Sequence, residues 1–221
     1  MSTASHSKKL PKSRQGKARA RELHARRSRR FFVGGTLGLI ALFAVAIALS
    51  RTSDQQQSIP QARSVTVSGE PLPVLGGTDA AIGLVAPEIA GSSFDGDKVT
   101  LANDGTPKMI LFLAHWCPHC QVEVPLVQSW LDSRGMPGGV DLVSVATATD
   151  RARPNYPPSE WLEREKWTVP VMVDDEASSA GQAYGVSSYP FFVFVGADGT
   201  VVHRASGELS IEHLEDILAG L

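Results

Sequence analysis

Cysteine is almost absent from this 221-residue chain: there are two, Cys117 and Cys120, both in the segment HWCPHC. That scarcity excludes several chemistries. Covalent haem attachment needs a histidine directly after the second cysteine, and here Gln121 stands there. A structural zinc site needs about four ligands, usually from two such pairs, and there is no second pair. As a staple the pair would do little, because closing so short a loop removes little entropy from the unfolded chain. Redox chemistry is what remains for two cysteines at this spacing. No internal repeat is visible either.

Charge is missing from one stretch and lopsided elsewhere. Phe31 to Ser50, FFVGGTLGLIALFAVAIALS, holds no charged side chain and lies between Arg30 and Arg51. Twenty helical residues reach roughly 30 Å, one hydrocarbon core. The run exceeds the roughly 7–15 residues of a cleavable signal core. An uncleaved transmembrane anchor is therefore expected, with cleavage near Ala46 and Ala48 as the competing reading. Residues 1–30 carry eleven Lys or Arg against Glu22 alone, a net +10, whereas the rest of the chain is −12. The positive-inside rule puts the basic end in the cytoplasm and the acidic remainder on the extracytoplasmic side of the cell membrane. The basic tail lacks aromatic interleaving, so it reads as a solvated topogenic arm and not as a nucleic-acid binder.

Large apolar residues are also scarce between 51 and 78, where Ser, Gln, Pro and Gly dominate. This stretch is expected to be a flexible linker. The expected organisation is a basic cytoplasmic tail over 1–30, an anchor over 31–50, a linker over 51–78 and one folded domain over 79–221.

Within that domain, SFDGDKVTLAND suggests a short strand pair turning at Asp95-Gly96. PKMILFLAHW is an apolar run of strand length, as expected for a strand buried on both faces. A helix follows at once, with Val122, Leu126, Val127, Trp130 and Leu131 at helical spacing and a stop at Gly135. Pro118 suits its first turn, and Pro125 predicts a kink. GVDLVSVATATD is the next strand, then a helix opened by Ser159, the strand VPVMVDD and a short helix ending at Gly185. A hairpin turns at Asp198-Gly199, and the last helix is capped by Ser210. Strands alternating with helices before a final hairpin predict an α/β fold, a mixed central sheet flanked by helices.

Cys117 falls where the buried strand meets a helix. The first helical turn offers unpaired N–H groups and the positive end of the dipole, and both favour a thiolate. Cys117 is read as the exposed nucleophile and Cys120, one turn on, as the resolving thiol. His119, as imidazolium, would help to hold the thiolate charge. His115, His203 and His213 read as solvated or structural.

From about residue 82 onwards the chain resembles the thioredoxin superfamily. WCPHC is similar to its Trp-Cys-x-x-Cys motif, with Trp116 leading, and SYPFFVFV is similar to its second hallmark, a cis-proline before a strand that faces the cysteines. The resemblance implies a thioredoxin-like fold, a redox-active Cys117–Cys120 disulfide, a cis Pro190 and a substrate groove flanked by Tyr189. The leading strand pair and single anchor most resemble the membrane-anchored extracytoplasmic thioredoxins of bacteria, the TlpA-like branch. That branch carries an acid three residues after the second cysteine, so Glu123 is implied to take a proton from Cys120. Cytosolic thioredoxins bury an Asp six residues before the first cysteine, and here that position is Leu111. The Pro-His dipeptide instead resembles the oxidising DsbA proteins, although their large helical insertion is missing. Thioredoxin and DsbA differ by roughly 150 mV.

What the resemblance implies is an extracytoplasmic thiol–disulfide oxidoreductase, using neither metal nor cofactor, that exchanges disulfides with exported cysteine-containing proteins as an oxidant. A membrane redox partner would recycle it. One alternative is a reductase of apocytochrome c thiols. Another is a copper-binding assembly chaperone, for which Met136 is the only further soft ligand nearby.

Overall fold

The computed structural model describes residues 60–221. The tail over 1–30 and the anchor over Phe31 to Ser50 lie outside the described residues. No helix among the described residues is long and apolar enough to cross a membrane.

Eight strands form one mixed sheet. In chain order they are β1 (Thr66–Ser68), β2 (Glu88–Ser92), β3 (Lys98–Leu101), β4 (Lys108–Leu113), β5 (Asp141–Ala146), β6 (Val171–Val173), β7 (Phe191–Val195) and β8 (Val201–Ser206). Across the sheet the order is β1-β2-β6-β5-β4-β7-β8, with β3 paired to β2. β4, β5 and β6 run parallel, and β7 is antiparallel to β4. The helices are α1 (Pro118–Arg134), α2 (Pro158–Arg164), α3 (Ser179–Ala183) and α4 (Ile211–Leu218).

Strand periodicity divides the core. On β4, Met109, Leu111 and Leu113 enter one apolar cluster, and Ile110 and Phe112 enter the other. On β7, Phe192 and Phe194 join the first cluster, whereas Phe191, Val193 and Val195 join the second. Helices α1, α2 and α4 cover the first cluster through Val124, Val127, Trp130, Trp161, Leu162, Leu214 and Leu218. Helix α3 and the leading segment cover the second through Ala180, Ala183, Tyr184 and Leu72. Every residue of β4 is buried, so the strand that leads into the cysteines is fixed on both sides.

Three expectations need correction. Residues 60–78, expected to be part of a linker, are packed on the domain. Thr66–Ser68 pairs with β2, Leu72 is buried, and the Leu72 and Leu75 N–H groups donate to Ala183 O and Gly185 O. Few apolar residues are needed for this seat, because backbone hydrogen bonds supply much of it. Val122 and Leu126, expected on the buried face of α1, are 52% and 39% exposed. The buried face runs through Cys120, Glu123, Val124, Val127 and Trp130. A two-residue offset turns a helix position by about 200°, so Val122 and Leu126 lie opposite Val124. Helix α2 begins one residue earlier than expected, at Pro158, with Pro157 as its N-cap. Helix α1 continues through Pro125 as one element, and Ser210 caps α4 by accepting the His213 N–H at 3.2 Å.

Candidate active site

The site lies at the C-terminal end of β4. Cys117 is the N-cap of α1, with extended backbone (φ −76°, ψ 122°) and Pro118 as the first helical residue. Its N–H donates to Ala114 O at 2.9 Å, which forms the turn that hands the strand over to the helix. Cys117 keeps 7% of its surface exposed and Cys120 keeps none. Both are free thiols. The Cys117 thiol donates to Tyr189 O at 3.3 Å, and the Tyr189–Pro190 peptide bond is cis. The segment before β7 thus lies against the cysteine that caps α1. Cys117 is correspondingly less open than a freely exposed nucleophile.

Burial pushes the Cys120 thiol far above its ordinary range, and the neighbouring Cys117 and Glu123 push it the same way. Glu123 is fully buried, one turn further along α1. Its Oε2 accepts the Leu209 N–H at 3.3 Å, and its Oε1 has no hydrogen-bond partner among the described residues. Burial raises its carboxyl to about 7, against the pull of the Leu209 N–H and with a further push from Glu208. A buried carboxyl poised near neutrality beside a thiol can take or give one proton. At Leu111 the buried side chain is apolar, so no second carboxyl approaches along β4.

His119 is turned elsewhere. Its Nδ1 lies 2.7 Å from Glu208 Oε1 on the surface, and its side chain is 66% exposed. The expectation that this ring holds the Cys117 charge is replaced by a His119–Glu208 pair. Trp116 donates from Nε1 to Ala148 O at 2.8 Å and meets Tyr189 edge-on, with ring centroids 6.0 Å apart. Met136, the extra soft ligand a copper reading needs, follows the C-terminal end of α1. Seventeen helical residues separate it from Cys117, about 25 Å, and fourteen from Cys120, about 21 Å.

Asp174, near the site, was not singled out from sequence, whereas His115 was read as solvated or structural. His115 is structural: it is buried, its Nδ1 lies 2.8 Å from Pro154 O and its Nε2 accepts the Asp150 N–H at 3.2 Å. The ring is therefore neutral, with the proton on Nδ1. Burial lowers its pKa, in keeping with that state. Asp174 is buried at the end of β6 and accepts the Thr147 hydroxyl at 2.7 Å and the Ala180 and Gly181 N–H groups. Burial raises its carboxyl. Its one sequence signal is a carboxylate directly after an apolar strand, in VMVDD.

A buried strand, a cysteine at the helix N-cap, a second cysteine one turn on and a cis-proline opposite them form one arrangement. Residues 81–219 match the Redoxin family. The chain belongs to that family. It falls in the TlpA-like branch of the thioredoxin superfamily, and it is a thiol–disulfide oxidoreductase. One similar protein is the thiol-disulfide oxidoreductase ResA of Bacillus thuringiensis (strain Al Hakam), 30% identical over 139 residues, 62% of this chain and 76% of that one. Another is sporulation thiol-disulfide oxidoreductase A of Bacillus subtilis (strain 168), 22% identical over 56% of this chain and 73% of that one. Among solved structures, a putative thiol:disulfide interchange protein DsbE from Chlorobium tepidum shares the fold. Its TM-score is 0.53 at 22% identity, over 62% of this chain and 96% of that one.

Proposed function

We propose that the chain is a membrane-anchored oxidoreductase that works outside the cytoplasm and exchanges disulfides with exported cysteine-containing proteins. The observation that carries the exchange chemistry is the line Tyr189 O, Cys117, Cys120, Glu123: one sulfur at the rim and one sealed beneath it next to a proton carrier. The anchor and the side of the membrane rest on the sequence alone, on the uncharged run Phe31 to Ser50 after the basic residues 1–30.

In the reducing direction the Cys117 thiolate attacks a client disulfide. A Cys117–client S–S bond forms, and the first client thiolate leaves. Cys120 then loses its proton to Glu123 and attacks Cys117 Sγ. The Cys117–Cys120 disulfide forms, the second client thiolate leaves, and two electrons have passed to the client. The oxidising direction is the reverse, with Glu123 returning the proton to the departing Cys120. A carboxyl with a pKa near 7 serves either direction.

The Pro-His dipeptide between the cysteines favours the oxidant. A second reading, a reductase such as one acting on apocytochrome c thiols, is favoured by the placement of His119, which is paired with Glu208 and so not available to Cys117. The reduction potential of the purified protein decides between them. A value near −120 mV, about that of DsbA, supports the oxidant, and one near −250 mV or lower removes it. A Cys120→Ser variant keeps the attacking sulfur and loses the resolving one, so it is expected to accumulate mixed disulfides with clients. Their absence, with the fold intact, would count against protein clients altogether.

A further inference from the structure

The loop over residues 147–158 is tied to the two residues that precede Cys117. His115 holds it through Pro154 O and the Asp150 N–H, and its own carbonyl accepts from Asn155 Nδ2 at 3.4 Å. Trp116 holds it through Ala148 O. The loop therefore has a fixed position relative to the nucleophile.

What it presents there is cationic. The Arg153 guanidinium carbon stands 4.5 Å from the Trp116 ring centroid, and that of Arg151 stands 6.0 Å from the Tyr156 ring centroid. Both side chains are exposed. Arg153 pairs at 3.4 Å with Asp150, the loop's single acid, but both partners are about half exposed, so water competes strongly with the pair. Arg151 makes no ion pair among the described residues. The surrounding body has the opposite sign: residues 60–221 hold nine Lys or Arg and 21 Asp or Glu. On α1, His119 is paired with Glu208 from the segment between β8 and α4. The Trp116 rim is thus a local reversal of charge. Guanidinium groups stacked on aromatic faces are held in one orientation, and their planar fork matches a carboxylate.

We infer that Arg151 and Arg153 form a carboxylate-reading ledge that selects client segments with Asp or Glu beside the reactive cysteine. The inference rests on the exchange reading above, and its test separates the two.

Two synthetic peptides, each closed by one disulfide and alike except for Asp or Lys flanking the cysteines, are offered to the full chain in its dithiol form. Each exchange reduces the peptide disulfide to two thiols and oxidises Cys117 and Cys120 to their disulfide. An acidic body without a ledge would favour the Lys peptide. The ledge favours the Asp peptide by about tenfold in second-order rate at low salt, and less as salt screens it. The double variant Arg151→Glu, Arg153→Glu inverts the order, and Arg151→Glu alone, which leaves the Trp116 contact in place, narrows it. The comparison with these variants removes any general pull from the basic residues 1–30. Equal rates for the two peptides, a Lys preference in the unaltered chain, or an Asp preference that survives both reversals would overturn the ledge. If neither peptide exchanges, the exchange reading fails first.

Discussion

Glu123 concentrates the chemistry of this molecule into one carboxyl. It has no exposed surface, and one oxygen has no partner among the described residues, so its charged form is poorly solvated. Its pKa rises from 4.5 to about 7 on folding, which means that the native chain holds the proton more tightly than the unfolded chain. The stability it contributes is complete below pH 4.5 and is lost as pH rises through 7. Glu123→Gln is expected to remove that decline, about 3 kcal/mol across the window, as read by urea unfolding at pH 4 and pH 8. The same variant is expected to slow the resolving step by about 10²-fold or more. An unchanged pH profile of stability would assign the titration to another group. The placement of Glu123 was legible only in part. Spacing sets it three residues after Cys120, on the same side of a helix, but its depth depends on α4 and the chain entering it, which close over α1 from far along the sequence.

At the scale of elements, the local signals resolved well and the long-range ones did not. The apolar run of β4 and the Asp95-Gly96 and Asp198-Gly199 turns each carry their own cause within a few residues, and the structure has β4, β2–β3 and β7–β8 there. The orientation of α1 was not legible, because apolar residues occur around most of its circumference and only the sheet decides which of them it covers. The 147–158 loop was not legible either: its first four residues read as the end of a strand that in fact stops at Ala146. Its conformation comes from His115, a residue on another element, and a lone histidine carries no pattern. His115→Leu leaves Pro154 O and the Asp150 N–H without their partner. A loss of about 1–3 kcal/mol is expected, with faster amide exchange at Asp150 and altered Trp116 fluorescence. Unchanged exchange at Asp150 would show that the loop is held by other contacts.

For the molecule as a whole, the described body begins well before the family match at residue 81. Arg204 shows why. It is buried under the leading segment and paired with Asp79, and its Nη1 donates to Pro73 O at 2.9 Å and Tyr184 O at 2.8 Å. A chain starting at residue 79 is expected to melt below one starting at residue 60, because it loses Leu72 and the Pro73 acceptor. The cost of Leu72 alone is about 2–3 kcal/mol, or roughly 5–10 °C in melting temperature. Equal melting of the two truncations would return residues 60–78 to the status of a tether. One glycine controls this seat. Gly185 has φ +65°, and a Cβ there would stand 2.3 Å from Pro73 O and 2.8 Å from Arg204 Nη1. Any side chain at that spot would unclasp the strap it lies beneath. A pull arriving from the N-terminal side therefore meets this buckle and the β1 edge before it reaches β4 and the helix that holds the sulfurs.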